Sequence, residues 1–190
     1  MSQKGHPFPA SGAFMIDNSI RRWLQPPSEL IDKIAIGKDD TVIDFGCGPG
    51  FYTIELAKRA KSVIAVDVSP DMLAKAKNKA TKAETTNIQF LQSDGKKIQL
   101  PDATATKIIL VTVFHEIGDS EAVLKEFIRI MKPNGTLIIA EIVKKSIVPG
   151  APVQNPETLK AEVESNGFAL QQMLPYKSFG IFSFQKASNP

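Results

Sequence analysis

A single cysteine, Cys47, is all the thiol chemistry in this chain of 190 residues, which excludes an internal disulfide and suits a reducing compartment. No apolar run approaches the roughly 20 residues of a membrane span. The opening residues, Met1-Ser2-Gln3-Lys4-Gly5-His6-Pro7, lack the apolar core of a secretory signal, so the expectation is a cytoplasmic protein with no membrane partner. Net charge is mild, at +3. Lysines gather at Lys75, Lys77, Lys79 and Lys82 and again at Lys144 and Lys145, but no aromatics interleave with them. They read as solvated faces, and a nucleic-acid partner is not expected. Repeats and low-complexity tracts are missing. Metal-ligand spacing is missing too, since His115 and Glu116 have no further ligands in step and His6 stands far off. Nothing specifies an oligomeric state. What remains is an ordinary globular composition, 43% hydrophobic and 23% charged. One domain of this length buries roughly 70% of its unfolded surface.

Against that plain background stands Val42-Ile43-Asp44-Phe45-Gly46-Cys47-Gly48-Pro49-Gly50. Val42, Ile43 and Phe45 read as a buried strand carrying one acidic residue. The alternate glycines let the backbone turn sharply and approach a ligand, and 51–60 follows as a helix whose first N–H groups face the loop. Strand, glycine loop and helix N-terminus make a nucleotide-type cofactor site in a doubly wound α/β fold. A dinucleotide fingerprint needs a third glycine at its sixth position, where this chain has Phe51. A pyrophosphate there would meet a bulky side chain, and the Asp44 carboxylate would repel it while attracting an ammonium or sulfonium group. The expected cofactor is therefore free of phosphate.

From residue 41 onward strands and helices alternate, predicting a mostly parallel sheet. The strands are expected at 41–45, 62–66, 88–91, 108–113 and 136–143. Helices are expected from Ser69-Pro70 onward, at 120–131, and from Asn155-Pro156 to Gly167, each of the Pro-led pair opening on an N-cap with proline in the first turn. The tail, 168–174 and 178–186, alternates apolar and polar and reads as an antiparallel pair. Residues 95–105 look like a loop, and Pro133-Asn134-Gly135 like a turn. Upstream, 1–38 is expected to be a helical lid. Phe14, Ile16, Ile20, Trp23 and Leu24 would form one helix face, with Ser28 capping a short second helix that Gly37 closes. The rest, 39–190, would be a Rossmann-like core, the whole forming one domain.

The glycine stretch resembles motif I of the class I S-adenosylmethionine (SAM)-dependent methyltransferases, an acidic residue followed by Gly-x-Gly-x-Gly. Met131-Lys132-Pro133-Asn134-Gly135-Thr136-Leu137 is similar to the turn before strand five in their small-molecule members. The resemblance covers about residues 28–186. It implies a seven-stranded sheet in the order 3-2-1-4-5-7-6, with a terminal antiparallel pair. Thr106-Lys107 departs from the pattern, where relatives often carry an aspartate.

The resemblance also implies roles. SAM would be the cofactor and S-adenosylhomocysteine the product. Asp44 would hold the methionine end within the loop of Gly46, Cys47, Gly48 and Gly50, with Thr112 touching the same end. Asp67, 21 residues after Gly46, would accept the ribose hydroxyls; by itself it reads equally as a helix cap. Val68 and Met72 would line the adenine, Met72 reading equally as core. Asp94 would receive the adenine amino group, with Ser93 and Gly95 beside it, although Asp-Gly is also a common turn. Cys47 reads as loop filler, without a nucleophilic role.

His115 is the catalytic candidate. It follows strand four, and doubly wound sheets bind ligands beyond the carboxyl ends of their strands. There it can take a proton from an acceptor near neutral pH, or serve as a packing residue. The motifs of nucleic-acid amino-methylating enzymes and of protein arginine methyltransferases are absent. The expected function is methyl transfer to an oxygen, nitrogen or carbon atom of a small molecule. A SAM-binding module without activity and a nicotinamide-dependent oxidoreductase are the alternatives.

Overall fold

The structure, a computed structural model, describes residues 26–144 and 152–187. The expected helix around Phe14, Trp23 and Leu24, His6, and most of the loop 144–155 lie outside the described residues. Seven strands run in the order β3-β2-β1-β4-β5-β7-β6, as the resemblance implied. The described chain divides into two compact units, 26–94 and 95–187.

The first unit begins with α1 (Pro27–Asp32), then β1 (Thr41–Phe45), α2 (Thr53–Ala57), β2 (Ser62–Asp67), α3 (Pro70–Lys82) and β3 (Ile88–Gln92). β1 pairs in parallel with β2, from Thr41 opposite Ser62 to Phe45 opposite Val66, and β2 pairs in parallel with β3. Both inner strands are buried on each face, which suits a sheet covered by helices on both sides. The α3 N-cap is as expected: Met72 N–H donates to Ser69 Oγ, and Pro70 occupies the first turn. α1 differs. Pro27 begins the helix and Pro26 flanks it in extended form, leaving Ser28 inside rather than capping. The helix also stops earlier. Ala35 takes the left-handed conformation (φ 52°) expected of Gly37, whose N–H instead donates to Asp40 Oδ2. α2 is shorter than 51–60, because the positive φ of Gly46, Gly48 and Gly50 keeps the chain turning until Thr53.

The second unit holds β4 (Ala105–Val111), a 3₁₀ turn (Phe114–Glu116), α4 (Ser120–Ile130), β5 (Met131–Ile142), α5 (Pro156–Glu164), β6 (Phe168–Tyr176) and β7 (Phe179–Lys186). β4 starts and ends earlier than expected, and Thr112 leaves it with φ 56°. β5 is longer than expected. A two-residue step on β4 (Ala105 to Lys107) faces a five-residue step on β5 (Met131 to Thr136), so Lys132-Pro133-Asn134-Gly135 forms an excursion within the strand. β7 pairs antiparallel with both β5 and β6, the expected terminal pair. Asn155 Oδ1 accepts from Glu157 and Thr158 N–H, capping α5 as read. The expected loop at 95–105 is pinned by Arg129, whose guanidinium donates to the Ile98 and Leu100 carbonyls, to Glu126 and to Asp102.

Candidate functional site

In the first unit the ends of β1 and β2 meet at the glycine loop. Gly46 and Cys47 N–H both donate to the Val66 carbonyl, at 2.8 and 3.0 Å. Gly48 N–H donates to Asp67 Oδ2 at 2.8 Å, and Gly50 N–H to the Cys47 carbonyl at 3.0 Å. Pro49 has no N–H. Every backbone donor from 46 to 50 is therefore committed inside the protein, whereas a phosphate cradle turns such donors outward to the anion. This commitment, rather than Phe51, is what disfavours a pyrophosphate, because Phe51 lies buried with its ring edge-on to Tyr52 at 4.9 Å.

Two carboxylates border the loop. Asp44 is 3% exposed, and its Oδ2 accepts the Thr53 hydroxyl at 2.6 Å. Burial, opposed by that bond and helped by the charge of Asp67, raises the Asp44 carboxyl from 3.8 to about 6. Asp67 takes Gly48 N–H on one oxygen and Ser69 N–H on the other, each at 2.8 Å. Each oxygen keeps a second acceptor site for a hydroxyl. No cationic side chain among the described residues is paired with either carboxylate. A group of opposite charge would relieve both, and beside Gly48 there is room for one, since a methyl added there would meet nothing within 4 Å.

The remaining expected residues divide. Val68, next to Asp67, is 44% exposed, an apolar side chain left open at the tip of β2. Met72 is buried on the inner face of α3 with Leu73 and Ala76, which favours its core role. Cys47 packs against Ala65 and Leu73; burial and the charges of Asp44 and Asp67 keep its thiol protonated far above the ordinary range. Ser93 N–H donates to the Asp67 carbonyl, tying β3 to the same corner, while Asp94 is exposed. Lys79 is more than a solvated lysine: its Nζ donates to the Pro49 carbonyl at 2.6 Å, fastening α3 to the loop. Thr53 escaped the sequence reading. Its place in the first turn after the glycines was the available signal.

In the second unit, Gly95 is buried with φ 87°. Thr112 N–H donates to the Ala140 carbonyl, and its hydroxyl is held by the Val111 carbonyl at 2.7 Å. A threonine in the left-handed region is strained by about 1–3 kcal/mol. His115 sits in the 3₁₀ turn after β4. Its Nδ1 lies 3.0 Å from Glu141 Oε2, and its backbone N–H points at Glu141 Oε1, 3.4 Å away. Glu141, on β5 and fully buried, was not anticipated, because an isolated glutamate in an apolar strand gives no hint of a partner 26 positions earlier. Burial alone would lower the His115 pKa, but the Glu141 bond and the charges of Glu141 and Glu116 outweigh it and raise it above 6.5. Among the described residues no set of His, Cys, Asp and Glu forms a metal site, and no helix is long and apolar enough to cross a membrane.

Comparison with known proteins gives a consistent picture. Residues 36–180 match the family model described as "Methyltransferase domain". The fold is similar to that of a SAM-dependent methyltransferase from Aquifex aeolicus, with a TM-score of 0.85 and 28% identity over 93% of this chain and 98% of that one. In sequence the chain is 24% identical to an arsenite methyltransferase of Halobacterium salinarum, over 74% of this chain and 40% of that protein. It is 25% identical to a demethylmenaquinone methyltransferase of a Geobacillus species, over 68% of this chain and 57% of that protein. The chain thus spans about half the length of the curated relatives it matches.

Proposed function

The chain belongs to the SAM-dependent methyltransferase family, and on that premise we propose that it transfers the methyl group of SAM to an oxygen, nitrogen or carbon atom of a small molecule. The observation that carries this reading is the glycine loop whose donors all turn inward, beside two buried carboxylates with open space at Gly48. Such a corner suits an adenosine compound that is cationic and lacks phosphate. Asp44, positioned by Thr53, would hold the positively charged methionine end. Asp67, already fixed by two N–H donors, would accept the ribose hydroxyls, and Val68 would lie along the adenine beside Ser93, Asp94 and Gly95. SAM, when bound, supplies an electrophilic methyl on a sulfonium, so the protein's task is to orient an acceptor and exclude water. His115 would take the acceptor's proton.

Among possible acceptors, the chain's own residues favour an organic molecule. Arsenite, the substrate in the name of one relative, is a soft centre that prefers thiolate ligands. The single thiol here is buried and held protonated. A lone buried cysteine also suits the reducing cytoplasm.

Calorimetry on the whole chain with SAM, S-adenosylhomocysteine and NAD tests the cofactor. Binding of the first two and not the third is expected; uptake of NAD with indifference to SAM would overturn the reading. Transfer of label from methyl-labelled SAM into a pool of small organic acceptors then separates an enzyme from a binding module, which would retain SAM and label nothing.

A further inference from the structure

We infer that Glu141 is a positioning residue that holds His115 with its Nε2 ready to accept a proton, and that the acceptor is accordingly one that loses a proton as it is methylated, a phenol, enol or hydroquinone being the oxygen case, rather than a tertiary amine or thioether. The inference rests on the methyltransferase reading above and narrows it to a class of acceptor.

The geometry is specific. A carboxylate only accepts hydrogen bonds, so an imidazole nitrogen 3.0 Å from Glu141 Oε2 must carry a proton. That nitrogen is Nδ1, which leaves the lone pair of the neutral ring on Nε2. The second oxygen of Glu141 lies 3.4 Å from the backbone nitrogen of His115, so ring and main chain are both oriented by one side chain. Nε2 makes no hydrogen bond among the described residues; the Glu116 carboxylate stands off at 3.8 Å. The charged groups set against the ring are thus Glu141, from β5, and Glu116, from its own turn.

The cost of the arrangement argues for a role. A carboxylate 1% exposed at its side chain, with no lysine or arginine paired with it among the described residues, is expensive to bury. If the pair served only to staple the 3₁₀ turn to β5, an amide and a neutral partner would do the same at less cost. A carboxylate adds one property, stabilisation of the ring once Nε2 has taken a proton. In the oxygen case, the acceptor oxygen bonds to the methyl carbon while the carbon–sulfur bond breaks, its electron pair remaining on sulfur. The acceptor's proton passes to Nε2 and later to water. Ordinary phenols, with pKa near 10, keep their proton at neutral pH and so need such a base. Tertiary amines and thioethers have no proton to give and would gain nothing from it.

Nitrogen-resolved NMR of histidine in the full chain tests the tautomer without any acceptor. Above its pKa, His115 should show a protonated Nδ1 and a bare Nε2, and in Glu141→Gln its pKa should fall. With SAM and a panel of simple phenols and hydroquinones set against tertiary amines and thioethers, turnover should be confined to the hydroxyl compounds. Glu141→Gln should lower kcat at least tenfold, leave the SAM dissociation constant within twofold, and move the acidic limb of the pH–rate profile to lower pH; Glu141→Asp should recover part of the rate. His115→Gln should bind SAM and, at saturating SAM, lose the acidic limb of kcat. An Nε2-protonated ring, an unmoved pH profile, or turnover restricted to acceptors without a proton would each overturn the inference in a chain that binds SAM. Failure to bind SAM at all would overturn the reading beneath it.

Discussion

Asp44 has a carboxyl where ionisation is costly, and no cationic side chain among the described residues balances it. Its rise from 3.8 to about 6 comes first from burial, with the Thr53 hydroxyl working against the rise and Asp67 adding to it. A shift of that size disfavours the ionised folded form by about 3 kcal/mol. The sign follows directly. The folded state holds the proton more tightly than the unfolded one, so stability falls as pH climbs from 3.8 to about 6 and stays lowered above it. Asp44→Asn keeps an acceptor for Thr53 and removes the charge. It should stabilise the ligand-free chain by about 2–3 kcal/mol at about pH 8 and by little at about pH 4. The same change should weaken SAM at least about tenfold, and wild-type affinity should decline as pH drops below about 6. Thermal unfolding at the two pH values, with calorimetry beside it, would show this; equal stabilisation at both, or unchanged affinity, would remove Asp44 from the site. His115 differs in kind, since its carboxylate partner is provided by the fold.

The glycine loop shows how an element divides conformation from access. Gly48 and Gly50 both have positive φ, 52° and 78°, yet their surroundings differ. A methyl on Gly48 would meet nothing within 4 Å, while one on Gly50 would lie 3.2 Å from Ala76 Cβ and press α3 away from the loop. Gly50→Ala should therefore cost about 1–2 kcal/mol in backbone strain and about 1–3 more in overpacking. Gly48→Ala should cost only the strain, but should lose more SAM affinity than its stability explains, because its methyl occupies the ligand's space. Denaturant unfolding and calorimetry on the pair would separate the two effects. Features of this local sort were legible in the sequence. β1, the end of β2 at Asp67, and the Ser69-Pro70 and Asn155-Pro156 openings each rest on neighbouring residues, and the structure shows them as read. Other features depend on distant partners. Thr53 acquires meaning only from Asp44 and Glu141 only from His115, whereas Pro133-Asn134-Gly135, read as a turn, does fall in the excursion, and only its inclusion within a longer β5 depends on the register with β4. Ala35 and Thr112 take left-handed conformations that their residue types give no reason to expect.

At the scale of the whole molecule, the shifted groups set how stability responds to pH. Glu55 is lowered because bonds and charges from Lys58 and Arg59 outweigh its burial, and Glu126 chiefly because Arg129 bonds to it. Each lowered acid contributes stability above its ordinary 4.5 that is lost as pH falls through the lowered value. Asp44 and His115 act in the other direction. Asp44 withdraws stability between 3.8 and about 6. The stabilisation from His115 is fully present below 6.5 and is lost as pH rises through its raised value. The acidic and alkaline losses leave a maximum for the ligand-free chain at mildly acidic pH, near about 5, with a decline toward about 8. A bound cation changes only one side of this curve. SAM favours the ionised form of Asp44, so the stabilisation it confers, RT ln(1 + [SAM]/Kd), should grow as pH rises and flatten the alkaline decline. Melting temperatures measured from about pH 4 to about pH 9, with and without saturating SAM, should therefore diverge on the alkaline side and converge on the acid side. A ligand-free maximum at or above about pH 8, or a SAM increment independent of pH, would mean that the buried carboxyl at the tip of β1 is not where the cation sits.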